Sequence, residues 1–261
     1  MISEMTNNVK SMRPLIHNIT NYVAATDCAN ITLAIGASPI MADEPNEAYE
    51  VASLADALVL NTGTISQSRL YAMLSAGKAA NEKGIPIILD PVGAGISTYR
   101  TNVVNSVISQ LKPCVIRMNA SELTSICLSQ KNLSGVDSGN ISDTKSIASM
   151  ASQLAKKTSA VICVSGETDV VSDGCRIAVI KSGHEMMRKI TGTGCMLSSV
   201  IGALAAANKN DIFSSAVSAL AIYGHCAKKA YRNGIGIASY KNNFFDEIYN
   251  LNTEVFKIEY R

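Results

Sequence analysis

Residues 189–208 read KITGTGCMLSSVIGALAAAN: two glycines around a threonine, then a cysteine, then a run of small apolar residues with helical period. Helices of soluble proteins ordinarily start on Ser, Thr, Asp or Asn and need no pair of glycines. Glycine tolerates positive φ and close backbone approach, and the first turn of a helix offers free N–H groups at the positive end of its dipole. Gly192, Thr193 and Gly194 can together form an anion hole, suited to the charge that develops on a transferred phosphoryl group, with Cys195 beside it. The alternative is a tight turn with a core cysteine behind it. The stretch is not a Walker A loop, because Gly-x4-Gly-Lys-Ser/Thr occurs nowhere in the chain. Nor is it a dinucleotide fingerprint: Leu197 stands where Gly192-x-Gly194 would need its third glycine, and Thr98 does so after Gly93-x-Gly95.

Three more stretches carry polar residues that could meet a nucleotide. Asp90-Pro91-Val92-Gly93-Ala94-Gly95 closes an apolar run, and Pro91 holds Asp90 towards extended geometry. Asp90 could face Mg²⁺ or phosphate, or it could simply start an Asx-type turn. Asn119-Ala120-Ser121-Glu122 has the spacing of a capping box. Its carboxylate also suits a magnesium site, where one or two carboxylates act with waters and phosphates. Arg117 is a charge inside an apolar strand and needs a partner, either a nucleotide phosphate or a structural counter-ion. Ser165-Gly166 ends a further apolar run and by itself reads as a turn. His17, His225 and Met41 show no ligand spacing and read as structural residues.

These residues need a frame. Ala57–Asn61 (ALVLN), 86–90 (PIILD), 114–119 (CVIRMN) and 160–165 (AVICVS) are short and continuously apolar, the pattern of parallel strands buried on both faces. Helical periodicity fills the intervals near 66–83, 100–111, 120–129 and 143–157. That alternation predicts an α/β protein with a mostly parallel sheet between helices. Residues 170–172 and 176–180 around Asp173-Gly174 predict a hairpin, and the chain after Cys195 reads as mostly helical. No repeat or linker interrupts residues 1–261, so one domain is expected. Each strand run ends on a residue able to do chemistry: Asn61, Asp90, Asn119 and Ser165. Ligands of open α/β sheets bind at that carboxyl rim.

Bulk composition excludes several classes. The 23 basic and 21 acidic residues nearly cancel, aromatics make up 5% and tryptophan is absent, which argues against a nucleic-acid partner. The seven cysteines form no C-x-x-C pair and read as reduced thiols of a cytoplasmic protein. The N-terminus lacks the apolar core of a signal peptide, and no run is long enough for a membrane span.

The motifs HNITN (17–21), GASPIMA (36–42), DPVGAG (90–95), NASE (119–122), SDG (172–174) and TGTGC (191–195), in that order, resemble those of the hydroxyethylthiazole kinases, thiamine-salvage enzymes of the ribokinase-like superfamily. The resemblance spans about residues 13–230. It implies a three-layer α/β/α fold and ATP-dependent phosphorylation of the primary alcohol of 4-methyl-5-(2-hydroxyethyl)thiazole. It also implies Mg²⁺ and a homotrimer with sites at subunit interfaces. Carried over residue by residue, Met41 and Gly192 fall where the family meets the thiazole, with Asn21 a further substrate-side candidate. Arg117 and Ser165 fall where it holds ATP, and Asp90 and Glu122 fall in the phosphate–magnesium region, partly through water. Cys195 falls where related sugar kinases place an aspartate base. Met118 stands in place of a family glycine, and Ser165 in place of a threonine. Kinases of other small alcohols such as hydroxymethylpyrimidine, or a nucleotide-binding protein without turnover, are the alternatives.

Overall fold

The computed structural model describes residues 1–129 and 143–253. Along the first half run α1 (Ile2–Met12), β1 (Leu15–Ile19), α2 (Ala25–Ala34), β2 (Ser38–Ile40), α3 (Ala48–Leu54), β3 (Ala57–Asn61), α4 (Gln67–Lys83) and β4 (Ile87–Asp90). Then come α5 (Thr98–Leu111), β5 (Val115–Asn119), α6 (Ala120–Ser129), α7 (Thr144–Thr158), β6 (Val161–Ser165), β7 (Asp169–Ser172) and β8 (Ile177–Ile180). A 3₁₀ turn (Glu185–Lys189) leads into α8 (Thr193–Ala207), α9 (Ile212–Ala230) and α10 (Ile237–Tyr249).

The strands form one sheet in the order β2-β1-β3-β4-β5-β6-β7-β8. β1 to β6 are mutually parallel, and β7 and β8 close one edge antiparallel, as the Asp173-Gly174 turn predicts. β3 to β6 bury almost every residue, which is why they read as continuous apolar runs. Two apolar cores flank the sheet. One holds residues of α1, α2, α8, α9 and α10, the other residues of α3 to α7. The fold is a three-layer α/β/α arrangement with a mostly parallel central sheet, as the resemblance implies. No helix among the described residues is long and apolar enough to cross a membrane.

α8 lies against the middle of the sheet and buries every residue from Met196 to Ala206. A Cβ on Gly202 would stand 2.8 Å from Val59 Cγ2, so glycine there lets the helix axis approach the strands. Side-chain caps set several helix starts: Ser66 accepts from the Arg69 amide, Ser97 from that of Arg100, and Asp143 from those of Lys145 and Ser146. Ser97 starts α5 two residues ahead of the predicted position.

Chain order and strand order part company between β1 and β3. From β1 the chain steps outward to β2, then returns to place β3 on the other side of β1 and proceeds across the sheet. That reversal opens a crevice beyond the carboxyl ends of β1 and β3. Asn21 lies just past one of those ends, and Asn61 is the last residue of the other.

Candidate active site

Register pairing sets the rim residues side by side: Asn61 is opposite Asp90, and Asn119 is opposite Ser165. Asp90 is fully buried at the sheet centre. Its Oδ1 meets Arg117 Nη1 at 3.3 Å, and its Oδ2 accepts from Asn61 Nδ2 and from the Ser198 hydroxyl, both at 2.9 Å. Burial pushes the Asp90 carboxyl above its ordinary pKa, while the Arg117 charge and these donors oppose the rise. Burial likewise works against the Arg117 cation, yet Asp90 and Glu122 outweigh it and hold its pKa above the ordinary value. Arg117 also donates from Nη2 to Ser165 Oγ at 2.6 Å. Arg117 thus has a structural counter-ion in Asp90 and also lines an open cavity.

That cavity measures about 490 Å³ and runs from Arg117, Ser165 and Asp169 past His184 to Thr193, Gly194 and Tyr223. Its size suits a ligand of nucleotide dimensions. Met118, the departure from the family pattern, points the other way: it is fully buried in the core beneath α3 to α7. Ser165 keeps the hydroxyl of the threonine that it replaces, and Arg117 uses it.

Glu122 forms the capping box with Asn119. Its Oε2 accepts from the Asn119 amide, and Asn119 Oδ1 accepts from the Glu122 amide, both at 2.9 Å. The second oxygen, Oε1, accepts from the Gly93 amide at 2.9 Å and ties the DPVGAG loop to the start of α6. Burial raises the Glu122 pKa against the pull of these two amides.

α8 starts as its sequence suggests. Gly192 is its N-cap at φ 81°, with no side-chain cap, so the first amides of the helix are left for another acceptor. An L side chain at Gly192 would be strained, and its Cβ would stand 2.9 Å from the Ala24 Cβ. A Cβ at Gly194 would stand 2.5 Å from both Nη1 and Nη2 of Arg117. The Tyr223 hydroxyl donates to the Thr193 carbonyl at 2.6 Å and fixes the turn from α9.

Cys195 completes the turn on the crevice side. Its Sγ accepts from Asn21 Nδ2 at 3.2 Å and from Asn61 Nδ2 at 3.3 Å, and the Asn21 amide also donates to Asn61 Oδ1 at 2.9 Å. Burial pushes the thiol up to about 11, and the nearby Asp90 charge adds to the rise against the amide donors. At neutral pH the group is a thiol. The helix start does not produce a thiolate, because desolvation outweighs the amide donors and the Arg117 charge here.

Asn21, Asp90, Arg117, Ser165, Gly192, Thr193, Gly194 and Cys195 thus meet around one helix start. Met41 lies apart from this network at the sheet margin, 39% exposed just after β2. Asn61, Ser198 and Tyr223 belong to the site, yet the sequence assigned them no role. Asn61 showed only as a rim residue. Ser198 follows Gly194 by one helical turn, a spacing that i, i+4 reasoning could have used. Among the described residues, no group of three or more His, Cys, Asp or Glu side chains is placed to hold a metal ion.

Comparison with known proteins agrees with this geometry. The model of the hydroxyethylthiazole kinase family matches residues 6–254. A hydroxyethylthiazole kinase of Methanocella arvoryzae is 45% identical over 253 residues, covering 97% of this chain and 94% of that protein. One of Thermoanaerobacter pseudethanolicus is 43% identical, with full coverage of both chains. A solved hydroxyethylthiazole kinase structure from Pyrococcus horikoshii superposes with TM-score 0.89 at 35% identity, covering 97% of this chain and 94% of that one. Bacillus subtilis pyridoxal kinase, at 15% identity and TM-score 0.60 over 84% of this chain and 93% of its own, shares the fold alone. A family match over nearly the whole chain and a common fold, joined to the rim and helix start that the motifs require, place this chain in the hydroxyethylthiazole kinase family.

Proposed function

We propose that the protein transfers the γ-phosphoryl group of ATP to the primary alcohol of 4-methyl-5-(2-hydroxyethyl)thiazole. One observation carries the mechanism: the uncapped start of α8 borders the Arg117 cavity through Thr193 and Gly194 and presents Cys195 to the crevice on its other side. ATP occupies the cavity with its phosphates towards Arg117 and Ser165. The alcohol lies on the Cys195 side, by Asn21, Gly192 and Met41. The amides of Thr193 and Gly194 receive the charge that spreads over the transferring oxygens, and Arg117 supplies the facing cation. Phosphoryl transfer with a loose transition state depends mainly on position and charge, so a thiol that orients the alcohol suffices and no strong base is required.

Magnesium fits as a cation carried in by the nucleotide. Asp90 commits both oxygens to Arg117, Asn61 and Ser198 in a fully buried place, so its part is charge from behind Arg117. Glu122 keeps spare lone pairs at a slightly exposed position, which suits contact through water. When bound, the ion would neutralise negative charge on the nucleotide's phosphates.

The assembly reading is a homotrimer in which Met41 of one subunit reaches the Cys195 side of the next. Exposed apolar residues along the carboxyl rim support it: Tyr22, Val23, Met41, Ile96 and Tyr99. A single eight-stranded sheet supports one kinase domain, and seven free cysteines support a cytoplasmic home.

The direct test is ADP release from ATP and Mg²⁺ on adding the thiazole alcohol. We expect little release with hydroxymethylpyrimidine or ribose. Equal turnover of the pyrimidine alcohol would overturn the substrate assignment while leaving the kinase fold untouched.

A further inference from the structure

Met41 follows a strand of three residues at the edge of the sheet, paired among the described residues with β1 alone. Nothing in so short an element fixes where a half-exposed methionine stands, yet the two residues that follow are both anchored. The Ala42 carbonyl accepts from His17 Nε2 at 2.7 Å. His17 is fully buried on β1, in register with Ile40. A carbonyl only accepts, so Nε2 carries the proton; burial lowers the pKa and keeps the ring neutral, which leaves Nδ1 bare, and that buried nitrogen has no partner among the described residues. An imidazole that leaves one nitrogen unsatisfied in a core is a poor packing residue, and the bond made by its other nitrogen is the reason for its presence. Beyond Ala42, Asp43 Oδ2 accepts from Arg69 Nε at 3.1 Å and from Nη2 at 2.6 Å. Arg69 also donates from Nη1 to the Thr64 carbonyl at 2.7 Å, which joins this loop to the turn after β3.

We infer that His17 and the Arg69–Asp43 pair are positioning residues: they clamp the backbone on the far side of Met41 and so set where its side chain meets the alcohol substrate. The inference rests on the reading of Met41 as a substrate-side residue. The clamp touches neither the nucleotide cavity nor the phosphoryl hole, so its loss moves one kinetic constant and spares the others.

Steady-state kinetics on the full-length protein test it. His17→Phe keeps a ring but has no donor, and it raises KM for the thiazole alcohol about fivefold, the worth of one neutral hydrogen bond. KM for ATP and kcat stay within about twofold of wild type, because neither site moves. His17→Gln, whose amide can reach the carbonyl, restores most of the loss. Asp43→Ala, at a half-exposed anchor, gives a smaller rise in the same constant. In Met41→Ala/His17→Phe the alcohol KM is no worse than in Met41→Ala alone, because the histidine acts through the methionine. Equal rises for ATP and alcohol, a His17→Gln variant as impaired as His17→Phe, or additive effects in the double variant overturn the clamp. If His17→Phe does not fold, an unchanged alcohol KM in Asp43→Ala overturns it instead. An unchanged alcohol KM in Met41→Ala overturns the substrate-side reading, and the clamp with it. A raised KM there with an independent His17 effect removes the clamp alone.

Discussion

Two asparagine amides point at one sulfur, and that arrangement decides what a substitution at Cys195 does. An aspartate there would be ionised at neutral pH, and its oxygens would receive the donors that now reach Sγ from Asn21 and Asn61. Cys195→Asp is expected to keep or raise kcat, and Cys195→Ala to lower it about tenfold without abolishing it, below the usual range of a general base. Thiazole KM should change little in either. With the thiol near 11, wild-type kcat should also stay flat between pH 7 and 9. A fully active Cys195→Ala would leave the residue a bystander. Gly194→Ala should do more harm than Cys195→Ala, because the new methyl would push on the Arg117 guanidinium and raise the KM for ATP. Arg117 has a structural role beside Asp90 and a proposed one at the nucleotide, and the two separate experimentally. Arg117→Ala is expected to strand Asp90 in the core, a loss of about 3–5 kcal/mol of stability, and also to weaken ATP binding. Adding Asp90→Asn should recover most of the stability in urea titrations but none of the ATP affinity. Recovery of both would make the pair purely structural.

At the scale of elements, legibility followed burial. β3 to β6 announced themselves because both their faces are covered and nearly every residue is apolar. β1 hid because His17 and Asn18 sit in its middle, each bonded to a distant group: Ala42 O for one, the Ser199 hydroxyl for the other. β2 hid because three residues that begin Ser-Pro carry no period. The site divided in the same way. Residues in local motifs (Asp90, Arg117, Glu122 and the glycines) could be read, whereas Ser198 meets Asp90 across 108 positions and Tyr223 meets Thr193 across 30. Only the fold brings those together. β7 carries a testable charge as well. Burial lifts Asp169 from 3.8 to about 6, against the pull of the Gly166 amide and the Arg117 charge. Above about pH 6 the folded state therefore holds an ionised carboxylate at a cost. Below that the native state takes up a proton that the unfolded chain does not yet bind, and the contribution is complete below about pH 4. Asp169→Asn keeps an acceptor for Gly166. It should be more stable than wild type by about 1–2 kcal/mol at pH 8 and lose that advantage by pH 4, as read from melting curves. A pH-independent difference would show that the carboxylate is not the cause.

For the molecule as a whole, sedimentation should give a trimer, and Met41→Asp, a charge set into the exposed rim, should shift the population towards smaller species with loss of turnover. A monomer that is fully active at assay concentration would reject the shared site. The sheet also distributes duties unevenly. The proposed phosphoryl chemistry hangs from β4, β5 and β6, each hydrogen-bonded on both sides, whereas the wall assigned to the alcohol hangs from β2, a three-residue strand with one neighbour among the described residues. Amide hydrogens around residues 38–47 should therefore exchange through local opening far sooner than those of the central strands. A margin that opens alone can also be rebuilt alone. Changes of length or side chain in that segment would re-cut which alcohol is accepted while the nucleotide machinery stays as it is, which makes the edge of the sheet the place where this scaffold can acquire a new substrate.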